Sequence, residues 1–364
     1  MNKRPNPLIG WQVDPTAIRT IGHDLSRPEC ILAEPDGSLW TADGRGGVMH
    51  IRPDGNQQLI IPTANSLPNT LPTAGSFPTA SNLPDGRSTM GRNLTEVSLP
   101  NGLAFAHNGD LLIANFGTDV LEVMTRDGRR RAVYDNIDGT PLGKVNFVLR
   151  DSRDRIWITV STRTNPWSAA ICSSLADGYI AVLDEAGLRV VADGFVFTNE
   201  IRLDAKEEWL YVAETCARRV SRLRVAADGS LHAREVYGPS SLGSGAVDGI
   251  AFDAYGNLWA AMIFADKLVA ITPDGDLLTL FDDGDHEAAA RFDAELDSGR
   301  VVNVATMSAT GGKIAPWLTS ITFGGPDLRT VYLGSVKGNT IPYFNSPVPG
   351  LPMVHWGGST SSAK

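Results

Sequence analysis

Six residues with oxygen-bearing side chains recur at the same point of a repeated pattern: Glu29, Asn101, Asn146, Asn199, Asp248 and Ser320. Each precedes a short apolar segment, a turn rich in Asp and Gly, and a second apolar segment with a large residue at its centre. That residue stands 11 positions later in four copies (Trp40, Leu112, Trp157, Trp259) and 12 later in the other two (Tyr211, Tyr332). Residues in one phase of a repeat take equivalent places in the fold, so two carboxylates and three amide carbonyls converge. Buried polar groups without partners cost about 1–3 kcal/mol each, so the convergence calls for a common partner. A hard divalent cation takes carboxylate, amide and water oxygens and satisfies them together. None of the six is His or Cys, which argues against a structural zinc site. The competing reading, that Asn and Asp merely open turns, serves a single position better than five in phase.

The elements that position these residues follow from the same repeat. The copies read ECILAEPDGSLWTAD from Glu29, NGLAFAHNGDLLIAN from Asn101, NFVLRDSRDRIWITV from Asn146, NEIRLDAKEEWLYVAE from Asn199, DGIAFDAYGNLWAAM from Asp248 and SITFGGPDLRTVYLGS from Ser320. A third strand and usually a fourth follow each pair, joined by Pro-Asp-Gly and Asp-Gly turns suited to hairpins. Four short strands per repeat of about 40–50 residues specify the blades of a β-propeller. Six copies give an all-β, six-bladed propeller with four-stranded blades, whose first strands line the central channel. An ordinary β-sandwich would not require six copies in phase. The last copy supplies three strands (319–323, 330–336, 340–345), and residues 16–23 supply its fourth, closing the ring and removing a free edge. Residues 1–364 read as one propeller domain, with 346–364 as a C-terminal tail.

The stretches RPECILAEPDGSLWTAD, KVNFVLRDSRDRIWITVS, FTNEIRLDAKEEWLYVAET and VDGIAFDAYGNLWAA resemble the SMP-30/gluconolactonase/LRE family and, more distantly, the diisopropylfluorophosphatase propellers. The resemblance runs from about Pro28 to Tyr343, apart from the insertions. It implies that Glu29, Asn146, Asn199 and Asp248 hold one divalent ion, Ca²⁺ foremost, with Mg²⁺, Mn²⁺ or Zn²⁺ as alternatives. It also implies hydrolysis of lactones or related esters. On that reading Asp248 is ligand and general base and Lys144 is catalytic or binds substrate; Asn101, which matches no ligand of the family, orients water or substrate. Cys30, Phe147, Glu200 and Lys144 depart from the family's Gly, Asp, Gly and Arg, which leaves the substrate open.

Three long insertions, residues 62–100, 163–178 and 283–317, fall at connections on the same face as the lead residues. The first is rich in Pro, Ser and Thr; the third contains HEAAARFDAEL, a helix expected over 286–296. Long loops in a compact fold commonly form lids or binding walls, and Phe77, Trp167, Phe197 and Trp317 supply an apolar lining. The net charge of −9 argues against nucleic acid, which requires a basic surface. No apolar run reaches the roughly 20 residues of a membrane helix. No secretory h-region opens the chain and the three cysteines form no framework, so a cytoplasmic protein acting on a small lactone or ester is expected. The competing functions are phosphotriester hydrolysis, hydration or a lyase step on the same metal, and a non-catalytic ligand-binding propeller.

Overall fold

A computed structural model describes residues 5–61 and 98–359. Most of the first insertion, with Phe77, lies outside the described residues. The chain forms six four-stranded antiparallel sheets, five of them in sequential order from the channel outward. Blade 1 comprises Ile31–Ala33, Leu39–Asp43, Gly47–Ile51 and Gln57–Ile60. Blades 2 to 5 have inner strands Pro100–Phe105, Val145–Arg150, Thr198–Leu203 and Ala246–Phe252. Blade 6 begins with Leu318–Gly324, and its outer strand is N-terminal: Arg19–Ile21 pairs with Ile341–Asn345 in the register Arg19↔Tyr343. Each inner strand lies against that of the next blade, and the strands of blades 6 and 1 meet likewise. The six-bladed propeller closed by an N-terminal strand is therefore the observed fold.

The inner strands pack closely because small residues face one another across them. A Cβ on Gly249 would stand 2.3 Å from the Thr319 carbonyl oxygen, and one on Gly102 would stand 2.6 Å from Phe147 Cα. Neither approach leaves room for a side chain. Between blades the fillers are the large residues of the repeat: Trp40, Trp157 and Trp259 are almost fully buried.

Each of these indoles is anchored by an acid from the preceding turn, six residues earlier. Trp40 Nε1 donates to Glu34, Trp157 to Asp151 and Trp259 to Asp253, at 2.6–2.9 Å. Asp253 also accepts from the backbone N–H groups of Tyr255, Gly256 and Asn257. One carboxylate thus sets a hairpin turn and satisfies a buried indole. We expect Asp253→Ala to destabilise the fold by about 2–3 kcal/mol, since it strands several buried donors. A denaturant midpoint unchanged from wild type would refute this.

Candidate active site

The lead residues are gathered by bulges. In blades 2 to 5 the pairing of the inner strand slips between Pro100 and Leu103, Val145 and Phe147, Thr198 and Ile201, and Val247 and Ile250. Asn101, Asn146, Asn199 and Asp248 lie inside these slips. A bulge leaves residues out of the ladder and re-aims their side chains, here towards the axis. Because the bulge of blade 4 spans two residues, Glu200 is also brought inside; it is buried like the six lead residues.

A chain of contacts links the set. Asn101 Nδ2 donates to the Asn146 carbonyl at 3.1 Å, and the Ser320 hydroxyl donates to the Glu29 carbonyl. Arg27 Nη2 donates to Asn101 Oδ1 at 2.7 Å and pairs with Glu29 Oε2. Asn199 donates to Asp248 and, through Nδ2, to Thr215 Oγ1 at 3.2 Å. Glu200 accepts from the Ile250 N–H at 3.2 Å and pairs with Arg202 at 2.8 Å.

Burial raises all three carboxylates, Glu29, Glu200 and Asp248. Burial, then the charges of Glu29 and Glu200, holds Asp248 well above the ordinary carboxylate range, against Arg27 and the Asn199 hydrogen bond. Burial also raises Glu29, against Arg27 and Asn101. Glu200 is pushed up to about 7 by burial, against Arg202. Burial raises the Cys30 thiol as well, which leaves it a packing residue rather than a nucleophile.

The donor set fits a hard cation. One buried oxygen of the ring, Asn146 Oδ1, has no hydrogen-bond donor, and Glu29 Oε2 meets the Arg27 guanidinium. Among the described residues no three His, Cys, Asp or Glu side chains cluster as a metal site. An ion here would therefore rest on Glu29 and Asp248 with the amides of Asn146 and Asn199, an all-oxygen set.

Above the ring stands an apolar wall. The third insertion folds into two helices, α1 (His286–Asp297) and α2 (Val304–Ala309). Asp285 caps α1 by accepting from the Glu287 and Ala288 N–H groups, and Ala288, Phe292 and Leu296 face inward at four-residue spacing. Phe292 packs on Phe264, which meets Trp317 edge-on at 5.1 Å. On the other side Trp167 sits 5.7 Å from Phe116 and 6.5 Å from Phe197. Trp167 is exposed and Trp317 half-buried, whereas Phe197 is enclosed. Lys144 belongs to this wall: its Nζ pairs with Asp119 at 2.9 Å and donates to the Phe116 carbonyl.

Phe116, Phe264, Arg27 and Glu200 were not singled out as site residues by sequence. Arg27 stands two residues before a lead position and Glu200 one after, which was the available signal. A separate cavity of about 140 Å³ lies at the far end of the channel, lined by residues such as Leu149, Arg202, Phe252 and Met353. It contains none of the lead residues. The tail closes it, through Leu351 N–H to the Phe252 carbonyl and His355 against the Ala33 carbonyl.

Fold and site together define a six-bladed β-propeller with an oxygen-lined axial site beneath an apolar wall. The chain belongs to the SMP-30/gluconolactonase/LRE-like family, whose model matches residues 82–288, more than half of the sequence. It is similar to a 6-deoxy-6-sulfogluconolactonase of Pseudomonas putida, 25% identical over 49% of this chain and 53% of that one. It is also similar to a pentonolactonase of Haloferax volcanii, 26% identical over 58% of this chain and 60% of that one. The matches thus span between half and three-fifths of these relatives. A calcium-binding regucalcin of Agrobacterium tumefaciens shares the fold, with a TM-score of 0.60 at 15% identity, covering 91% of this chain and 95% of that one. Among the described residues no helix is long and apolar enough to cross a membrane.

Proposed function

We propose that the protein is a divalent-metal-dependent lactonase. The observation that carries this reading is the buried Asn146 Oδ1, which no donor meets, in one ring with the buried Glu29, Asn199 and Asp248. Relatives named as lactonases and a fold shared with a calcium-binding regucalcin support it. Glu29, Asn146, Asn199 and Asp248 would hold the ion, Ca²⁺ before Mg²⁺, Mn²⁺ or Zn²⁺. Bound there, such an ion supplies charge to an oxygen that becomes negative during acyl transfer.

The chain's own residues supply the rest. Asp248 removes a proton from the water that attacks the lactone carbonyl carbon, and that proton goes to the ring oxygen as its bond to carbon breaks. Asn199 keeps the Asp248 carboxylate oriented through its hydrogen bond. Asn101, held by Arg27 and the Asn146 carbonyl, orients water or substrate. Asp119 and Phe116 take two of the three N–H donors of Lys144, and the third binds substrate oxygen. Trp167, Phe197 and Trp317 contact the body of the substrate and exclude water.

This wall favours lactones with an apolar body over polyhydroxylated aldonolactones. In a panel of lactones assayed with and without EDTA, we expect chelation to abolish turnover and added Ca²⁺ to restore it. We also expect bulky or aromatic lactones to exceed gluconolactone in kcat/KM by about tenfold, the worth of one or two buried methylenes. Turnover that survives chelation would overturn the metal assignment. Equal rates across the panel would overturn the role of the wall.

A further inference from the structure

The entry turn of most blades on the lead-residue face has left-handed backbone. Gly143 and Gly245 adopt it three residues ahead of Asn146 and Asp248, with φ of 90° and 83°. In the same turns stand Arg27 (φ 53°) and Phe197 (φ 58°), two residues ahead of Glu29 and Asn199, and Trp317 (φ 56°), three ahead of Ser320. Glycine takes this conformation without strain, whereas a bulky side chain pays about 1 kcal/mol or more. Three large residues held where glycine would be easier point to use of their side chains. Two are the aromatics of the wall. The third is a cation, and Pro28 behind it narrows its backbone choice further.

The charges around Arg27 can be counted among the described residues. Glu200 is paired with Arg202 and Lys144 with Asp119. Glu29 and Asp248 remain, and a divalent ion would balance both. Arg27 pairs with Glu29 Oε2, and an ion on that oxygen would compete with it. An ion on Glu29 therefore leaves one guanidinium without a counter-charge, at the edge of an apolar pocket and still anchored to Asn101 Oδ1. The exposed ammonium of Lys337 lies on the same side, held over the Trp317 ring by the Ser308 and Thr310 carbonyls.

We propose that Arg27 is the specificity residue of this site and reads an anionic group, a carboxylate or sulfonate, on the lactone substrate. The inference rests on the lactonase reading and deepens it. Arg27 has a dual part: it competes with the ion for Glu29, and once displaced it donates to the substrate's acid group. A guanidinium matches the paired oxygens of such a group.

The test uses a lactam that cannot be opened as a lactone is. Pyroglutamate and its neutral amide differ only in the acid group, and their binding to the Ca²⁺-loaded protein is read by calorimetry. We expect wild type to prefer pyroglutamate by about tenfold or more, the worth of one charge-assisted contact. Arg27→Gly, which installs the residue used in blades 3 and 5, abolishes the preference, and Arg27→Lys retains part of it. Arg27→Gly also binds Ca²⁺ more tightly, by about tenfold, because the competitor for Glu29 is gone. Equal binding of the two probes by wild type, binding of neither, or a preference unaltered in Arg27→Gly overturns the proposal. Wild-type turnover of neutral lactones, measured alongside, separates these results from failure of the lactonase reading: that reading fails if no lactone is opened with Ca²⁺ present.

Discussion

Asp248→Asn is expected to lower lactone turnover by about 10²–10⁴-fold, the span of general base catalysis, and saturating Ca²⁺ should not restore it. The substitution keeps the size of the side chain and one carbonyl oxygen, so an ion can still be contacted. What disappears is the charge and the ability to accept a proton. Asp248 suits the base because of its surroundings. In the metal-free protein burial and the neighbouring charges of Glu29 and Glu200 favour its protonated form; a cation bound beside it would favour the carboxylate, the form that accepts a proton. Asn101→Ala provides the contrast. Asn101 lies in the same ring but its amide is already engaged by Arg27 and the Asn146 carbonyl, so its loss should cost about tenfold or less, the upper end of what one neutral hydrogen bond is worth. The measurement is kcat across a Ca²⁺ titration for both variants. Full rescue of Asp248→Asn by the ion would make Asp248 a ligand only and assign the base elsewhere.

The fold was legible because the repeat is written in elementary terms. Paired apolar strands around a polar turn, with a large residue 11 or 12 positions after the lead residue, recur six times. Closure by the N-terminal strand could be inferred from the missing strand of the last copy, and Arg19–Ile21 occupies that place. The helix expected over 286–296 forms as α1 because its apolar residues repeat every four positions behind an Asp cap. The ring of lead residues was legible for the same reason: equal phase means equal position.

Less could be read where the outcome depends on contacts between distant blades. Nothing in the local pattern says that the bulge of blade 4 turns two consecutive side chains inward, so Glu200 entered the channel unannounced. Arg27 reads as an ordinary connecting residue until its left-handed backbone and its reach to Asn101, 74 positions away, are seen. Phe116 and Phe264 directly follow the second strands Leu111–Asn115 and Leu258–Ile263 and look like core. They join the wall only because Trp167 and α1 fold back over them. The tail gives no sequence signal for the far mouth of the channel, since its hold on Phe252 and Ala33 is made largely through backbone carbonyls.

Glu29→Gln separates the two carboxylates of the proposed ion site by their effect on binding rather than on chemistry. Gln keeps an oxygen donor but removes one of two ligand charges, and hard-cation affinity follows ligand charge closely. Breaking a buried charge pair costs about 3–5 kcal/mol, so Ca²⁺ affinity should fall by at least about 10²-fold, read by calorimetry at pH 7. The metal-free protein should respond in the opposite sense. Glu29 and Asp248 both lie above their ordinary range in the fold, so the folded chain holds protons that the unfolded chain has released. Their contribution to stability is then complete below about pH 4, the ordinary carboxylate range, and is lost as pH rises through the raised values. Glu29→Gln removes one of these groups and relieves the other. Its melting temperature in EDTA should exceed that of wild type at neutral pH, and the difference should shrink as the pH is lowered towards 4. A variant that binds Ca²⁺ as wild type does, or that melts lower than wild type in EDTA at pH 7, would show that Glu29 is stabilised by Arg27 alone and does not face an ion.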